Sequence, residues 1–473
     1  MRLLKYEPQG GTDAVYDPSV SLLSRVLPVT YNTGLSEGSG TVSTPPSQRF
    51  SFLLIALGSV VVLSTLVINP WTGKFYRSNV INYQDVMSTY FIWAVLIGLL
   101  MVANGLILRC TTSDAIINLS LMFATCALII LSDRLLLAYH GLPLWMADLD
   151  NHYKHRPNAI RSWGSDYNNK LIRINSYGHH DDDFPLKKGV REFRGVMLGD
   201  SITMGHGVTR EETFANQLEA LLNSKSRMSA QIINTGVQGY ATFQEYNAFL
   251  DSLVFEPDFV AIGFCMNDLV EPFAVDQRFG GVGVDYHGIT QASSVLTSYL
   301  LNETGYGRLV QYVRNRHKSI ELAKREEIFS LKEATQASFD DSKFSENWRI
   351  TLADLDKLYA AAKERNIRIV LLIFPFTFQL TNAKFQEPQR ILSEHAKSRD
   401  VDVIDFTKVF EKLLFDDDVV QLLTQKGFSD KEIRGLYWNK IQRYFLDSDH
   451  YTVEGHKVVA SILYDYVSRH YSF

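Results

Sequence analysis

The chain has 473 residues, 46% of them hydrophobic and 21% charged, which is enough for one sizeable core and additional segments. Its formal net charge of -5 supplies no concentrated basic surface, so nucleic acid is excluded as a partner. Of its three cysteines, Cys110 and Cys126 fall in apolar stretches. Only Cys265 is left in the polar remainder, which rules out a disulfide framework there.

Residues 1–48 are rich in Ser, Thr, Gly, Pro and Val. The stretch "GLSEGSGTVSTPPSQ" buries too little apolar area to offset its ordering entropy, so a disordered tail is expected. Three apolar runs follow: "FSFLLIALGSVVVLSTLVI" from Phe50, "YFIWAVLIGLLMVANGLIL" from Tyr90 and "AIINLSLMFATCALIILS" from Ala115. Each approaches the ~20 residues of a helix that crosses a bilayer. Three such runs in one short block, joined by polar connectors, speak against buried helices of a soluble core. Residues 49–140 are therefore read as a transmembrane region of three helices in a lipid bilayer. The first run begins too far along the chain for a cleavable signal peptide. Arg2, Lys5, Arg25 and Arg49 precede the first span, Lys74 and Arg77 lie in the first loop, and Arg109 lies in the second. This bias puts the N-terminus inside and everything after about Ser132 outside the cytoplasm. The third span is the weakest, because Asp133 and Arg134 interrupt its continuation "LLLAY".

Residues 141–192 are polar and turn-rich and read as a connecting region without an obvious core pattern. The cluster "HHDDD", His179 to Asp183, has metal-ligating residue types. Adjacent residues of an extended chain point apart, so it reads as a solvated polar loop, and no metal or cofactor is expected. From Phe193, short apolar runs ("GVMLG", "AQIINTG", "FVAIGF", "IRIVLLIF", "VDVIDF") alternate with longer amphipathic ones. That is the pattern of a parallel sheet covered on both faces, an α/β fold. In such sheets ligands gather at the carboxyl ends of the strands. A long insertion between "CMNDL" and "IRIVLL" includes "GGVGVDYHG" and "RNRHKSIELAKREE"; its charged part reads as a solvated helical face, with a lid over the site as the alternative.

Ser201 follows the first of these strands at the start of a helix, a place that suits either a nucleophile or a plain N-cap. Near the C-terminus, Asp447 and His450 are three residues apart. On a helical turn this spacing brings both side chains to one side, where the carboxylate can orient an imidazole acting as general base. Asp449 and His456 are alternative members of such a pair. Gly239, in the turn after "INTG", and Asn267, after "IGFCM", have the chemistry of oxyanion donors. Each equally suits a role confined to its own loop.

Taken together, "GDS", "NTGVQGY", "CMND" and "DSDH" occur in the order and context of the SGNH, or GDSL-like, hydrolase family, which the chain resembles over residues 193–473. The resemblance implies a flavodoxin-like three-layer sandwich around a parallel sheet, preceded here by the transmembrane region. It implies Ser201 as nucleophile, Gly239, Asn267 and the Ser201 backbone N–H as oxyanion donors, and Asp447 with His450 as the closing pair. "IRINSYG" with "REFRGVMLGDSITMGHGVTREETF" looks like the entry segment of membrane-anchored bacterial members. One departure is Cys265, where the family often has glycine; a larger side chain there is expected to narrow the pocket or shift the loop carrying Asn267. The expected protein is a membrane-anchored serine esterase of the bacterial inner membrane, with its C-terminal domain in the periplasm or extracellular. Its substrate would be an acylated glycan or small ester, acetyl among the acyl groups, and its surroundings the envelope polysaccharide machinery. The same residues would serve an O-acyltransferase of polysaccharide modification. A catalytically silent glycan-binding or envelope assembly protein is the reading from a different class.

Overall fold

The computed structural model describes residues 46–67, 83–110, 113–140, 144–148, 150–163, 167–225, 229–269, 295–311, 313, 344–415 and 417–471. The tail expected to be disordered, most of the charges used for orientation and much of the long insertion lie outside them.

Each apolar run of the N-terminal block becomes one continuous helix: α1 (Pro46–Val67), α2 (Tyr83–Arg109) and α3 (Asp114–His140). These helices are long and apolar enough to cross a membrane, over Arg49–Leu66, Phe91–Arg109 and Asp114–Leu137. They expose large apolar side chains such as Leu63, Ile92, Leu106 and Leu119. α1 and α2 touch through small residues, since a Cβ on Gly58 would lie 2.6 Å from the Gly98 carbonyl oxygen. Close backbone approach of this kind holds helices together where no hydrophobic effect separates them from lipid. Asp133 and Arg134 do not interrupt the third helix. α3 continues through them to His140, and Asp133 Oδ1 accepts the backbone N–H of Tyr306 at 3.0 Å.

After α3 the chain forms two antiparallel hairpins, β1 (Trp145–Asp148) with β2 (His152–His155) and β3 (Ile160–Ser162) with β4 (Leu171–Arg173). They supply Leu144, Trp145, Tyr153 and Ile172 to a small core completed by Met204, Val237 and Tyr240. The next segment corrects the reading of "HHDDD" as a solvated loop. His180 and Asp181 are buried; His180 Nδ1 lies 2.7 Å from the Met204 carbonyl, and Asp181 Oδ2 accepts the Asn234 N–H at 3.1 Å. These bonds brace the turns above them.

The Val-, Ile- and Phe-rich runs then form a five-stranded parallel sheet of β5 (Glu192–Gly199), β6 (Ser229–Asn234), β7 (Phe259–Phe264), β8 (Arg368–Ile373) and β9 (Asp402–Asp405). Its spatial order is β6-β5-β7-β8-β9. β7 is buried along its whole length, as expected of a strand covered on both faces. Helices α4 (Ser201–Met204), α5 (Phe214–Lys225), α6 (Thr242–Ser252), α7 (Val295–Asn302), α8 (Ser345–Glu364), α9 (Glu387–Ser398), α10 (Phe406–Leu414), α11 (Asp417–Gln425), α12 (Asp430–Ile441) and α13 (Val453–His470) complete the named elements. α5 packs with α13, and α6 packs with α8. The strand order is the flavodoxin-like one and reverses between β5 and β7, the kind of point at which doubly wound sheets bind ligands beyond the carboxyl ends of their strands.

The loop after β6 is pressed against the C-terminal end of α4. A Cβ at Gly236 would lie 2.4 Å from the Met204 backbone nitrogen, and backbone cannot rotate aside as a side chain can. Gly236→Ala is expected to cost about 1–3 kcal/mol of stability, as overpacking does. It should also displace the turn that carries Ser201. Denaturant unfolding combined with an ester-hydrolysis assay checks this; an unchanged midpoint with full activity would contradict the packing described.

Candidate active site

Ser201 is the first residue of α4, directly after β5. The N-cap is its neighbour, Asp200, whose carboxylate accepts the Ile202 N–H at 2.9 Å. The capping role open to Ser201 in the sequence is therefore filled by Asp200, and the serine hydroxyl points elsewhere. Ser201 Oγ lies 2.9 Å from His450 Nε2. The other ring nitrogen, Nδ1, lies 2.8 Å from Asp447 Oδ2.

The Asp447–His450 pair is held differently from the helical turn expected. Residues 446–449 form a bend outside any helix, closed by an antiparallel bridge between Phe445 and Tyr451. Asp447 Oδ1 accepts the backbone N–H groups of Asp449 at 3.1 Å and His450 at 2.9 Å. The bend is tied to the loop after β8 by the Thr377 N–H, which donates to the Ser448 carbonyl at 2.7 Å. Asp449 flanks the pair, its Oδ2 3.8 Å from His450 Nε2. His456 is remote from this role: it is fully buried, and its Nδ1 accepts the Phe214 N–H at 3.2 Å.

Burial disfavours a charged imidazole at His450. The hydrogen bond its Nδ1–H donates to Asp447 and the charges of Asp449, Asp447 and Asp200 outweigh this and raise its pKa to about 9. Burial opposes ionisation of Asp447 too, but its bonds to His450 and to the backbone hold it well below the usual carboxylate range. Asp200, fully buried, is pushed up to about 6 by desolvation despite its hydrogen bonds from Asn267 and Ile202.

Asn267, just after β7, donates through Nδ2 to Asp200 Oδ2 at 2.8 Å, so its amide is fixed beside the serine turn. Gly239 sits in the turn closed by Tyr240 N–H to Val237 O at 3.1 Å. Its φ of 70° lies in the region glycine adopts without strain. The same loop is anchored two residues before Ser201 by Val237 N–H to Gly199 O at 3.1 Å. Among the described residues, the Ser201 and Gly239 N–H groups have no backbone acceptor. Cys265, two residues before Asn267, closes the same turn, its backbone N–H donating to Asp268 Oδ2 at 3.0 Å. Its side chain is fully buried in the main core, and burial with the charges of Asp200, Asp449 and Asp268 pushes its thiol pKa well up.

Four residues at the site were not singled out in the sequence. The His206 ring stacks on that of His450, with centroids 4.2 Å apart and planes 28° from parallel. Gln238 Nε2 lies 2.6 Å from His206 Nδ1, and Tyr167 Oη lies 3.2 Å from His206 Nε2. Trp163 packs on His206 with centroids 4.3 Å apart. Nothing in the spacing of "WGSDY" and "MGHGV" announces that they meet; only aromatic residues in otherwise polar stretches hint at it. The groups close enough to share a metal ion among the described residues are Asp447, Asp449 and His450, all already engaged in this network.

A serine at the carboxyl edge of a parallel sheet, bonded to an imidazole that is bonded to a carboxylate, defines a serine hydrolase site. Residues 197–458 match the model of the GDSL-like lipase/acylhydrolase family. The chain belongs to that family and is a serine esterase, a hydrolase of ester bonds. Solved structures similar to it include the lipase/acylhydrolase from Enterococcus faecalis, with 13% identity over 59% of this chain and 96% of that one and a TM-score of 0.30. A variant of an acetylxylan esterase from Geobacillus stearothermophilus shares 14% identity over 57% of this chain and 92% of its own, with a TM-score of 0.30. A GDSL-like lipase from Bacteroides thetaiotaomicron shares 12% over 59% and 89%, with a TM-score of 0.29. No curated protein matches the chain.

The raised pKa of His450 has a kinetic consequence. Were His450 a general base it would have to be neutral to accept a proton, and kcat/KM would climb with pH through the imidazole pKa of about 9. Asp447→Asn removes both the bond and the charge that favour the imidazolium, so the acid limb should move to lower pH while kcat falls by roughly 10⁴. A pH–rate profile of both proteins reads this directly. An acid limb that stays in place in Asp447→Asn would contradict the electrostatic assignment.

Proposed function

We propose that Ser201 is the nucleophile of an acyl-enzyme mechanism, with His450 as general base and Asp447 as the group that orients it. The observation that carries this is the continuous contact from Ser201 Oγ to His450 Nε2 at 2.9 Å and from His450 Nδ1 to Asp447 at 2.8 Å. His450 removes the Ser201 proton as Oγ attacks the ester carbonyl, and the carbonyl oxygen becomes an oxyanion. The N–H groups of Ser201 and Gly239 and the second N–H of the Asn267 amide donate to it. The intermediate collapses, the C–O bond to the alcohol breaks, and His450 returns the proton to the leaving oxygen. Water then repeats the sequence on the acyl-enzyme and releases the acid.

The substrate proposed is an acylated glycan or another surface ester, acetyl being an acyl group of suitable size. The aromatic rings of Trp163 and Tyr167, half-buried beside His206, support a ring-shaped alcohol portion, because sugar C–H faces pack well on aromatic faces. Residues 193–473 are taken as the catalytic unit, with the hairpins of residues 141–192 contributing this wall. The proposed setting is a bacterial inner membrane with the catalytic unit outside the cytoplasm, supported by the excess of Lys and Arg before the first span.

Ser201→Ala should abolish hydrolysis of an acetyl ester and labelling by a fluorophosphonate while leaving the unfolding midpoint unchanged. Parental turnover in that variant would refute the nucleophile. Trp163→Ala should raise KM for an acetylated oligosaccharide several-fold and leave KM for a small aryl acetate near parental; equal effects on both would remove the sugar platform. Supplying the protein with an acetyl donor and a glycan separates hydrolysis from transfer: free acetate alone supports the esterase, and acetylated sugar would reassign it as a transferase.

A further inference from the structure

The insertion between β7 and β8 holds two helical stretches whose faces are inverted relative to helices of a soluble protein. On α7, Ser298 and Asn302 are buried while Leu296, Tyr299 and Leu300 are exposed. In the next stretch, helical at residues 305–311 and 313, Gln311 is buried while Tyr306, Leu309, Val310 and Val313 are exposed. The spacings i, i+3, i+4 and i, i+3, i+4, i+7 each define one helical stripe. Polar contacts hold the inward faces together: Asn302 Nδ2 donates to Ser298 O at 3.0 Å, and Gln311 Nε2 donates to Leu301 O at 2.9 Å and also to Asn302 Oδ1. Water selects against a surface with polar groups inside and a double apolar stripe outside. Lipid selects for it.

The position of this surface identifies the lipid. The Tyr306 N–H donates to Asp133 Oδ1 at 3.0 Å, and the Tyr306 hydroxyl bonds to Ser132 Oγ. The backbones are in contact here, for a Cβ at Gly305 would overlap the Asp133 carbonyl oxygen at 1.9 Å. Ser132 and Asp133 lie toward the C-terminal end of the candidate span Asp114–Leu137. The turn between the two stretches is clamped on its other side by Arg156, whose guanidinium makes two bonds to the Glu303 carboxylate, at 2.9 and 3.0 Å. The apolar stripes are thus continuous with the lipid-facing surface of α3, where Leu135 is also exposed. Tyrosines such as Tyr299 and Tyr306 suit the boundary between acyl chains and headgroups.

We propose that residues 295–311 and 313 form an interfacial membrane anchor, their apolar stripes seated among lipid acyl chains at the headgroup boundary of the leaflet in which α3 ends. The anchor is tied to α3 through Asp133 and to the hairpin region through Arg156, and it holds the active site at a fixed height above the bilayer. The inference rests on the reading that α1–α3 cross that bilayer, so the experiment tests the two separately.

The full chain, carrying Cys110→Ser and Cys126→Ser, receives a single reporter cysteine at Leu300, Val310 or, as a span control, Leu119. It is labelled with an environment-sensitive fluorophore and reconstituted in phosphatidylcholine–phosphatidylglycerol vesicles. The proposal predicts blue-shifted emission at Leu300→Cys and Val310→Cys, with strong quenching by nitroxide-bearing lipid and little by aqueous iodide, as at Leu119→Cys. Iodide quenching at Leu300→Cys and Val310→Cys with Leu119→Cys still in lipid would overturn the anchor alone. Iodide quenching at all three would overturn the spanning reading as well. Shielding of Leu300→Cys and Val310→Cys from both quenchers would show that protein covers the stripes and would overturn lipid as their occupant.

Discussion

The buried carboxylate of Asp200 is the interaction on which the site is built. It caps α4 through the Ile202 N–H at 2.9 Å and fixes the Asn267 amide at 2.8 Å. Because Asp200 takes the capping role, the hydroxyl of Ser201 is released from local backbone bonding and left to His450. Because Asp200 binds one hydrogen of the Asn267 amide, the other is held in a defined direction. Its charge also helps favour the protonated imidazole of His450. The arrangement has an energetic cost, since desolvation pushes Asp200 to about 6. A second buried carboxyl, Glu245, is pushed well above its usual range by burial and by Asp200. The bonds from Ile202 and Asn267 are what make the Asp200 charge tolerable, whereas burial favours the neutral form of Glu245.

Topology brings the remaining parts to this carboxylate. Ser201 follows β5 and Asn267 follows β7, the two strands between which the sheet order reverses. The loop after β6 returns to the end of β5 and carries Gly239. His450 arrives from 249 residues away, in a bend stabilised by its own bridge and by the loop after β8. Each piece sits at a strand end or in a closed bend, so the positions are set by the sheet rather than by long flexible loops.

Much of this frame was legible in the sequence. The five strands stand out as short Val-, Ile- and Leu-rich runs, because a strand covered on both faces needs no polar alternation. The three apolar runs were equally plain. Ser201, Asp447 and His450 could be named as candidates from motif order, but sequence spacing suggested a helical turn where the chain makes a bend. The hairpins of residues 145–173 were not legible: their strands are only three or four residues long, and a third of their core comes from Met204, Val237 and Tyr240 far along the chain. His180 and Asp181 looked like solvated polar residues for the same reason, since their partners, Met204 and Asn234, belong to other elements. Asp133 looked like a break in a span because its partner, the Tyr306 N–H, lies 173 residues away.

The three apolar helices are tied to the rest of the chain at residues 303–306 of the insertion, through Asp133 on one side and Arg156 on the other. The central proposal for this site is that Ser201 carries the acyl group during turnover. Rapid acid quenching of the full protein mixed with an activated acetyl ester, followed by peptide mass analysis, tests this most directly. The account predicts one acetyl group on the peptide containing Ser201, formed before steady state and absent from Ser201→Ala. Turnover with no acyl group on that peptide at any time, or acetate release by Ser201→Ala at the parental rate, would contradict it.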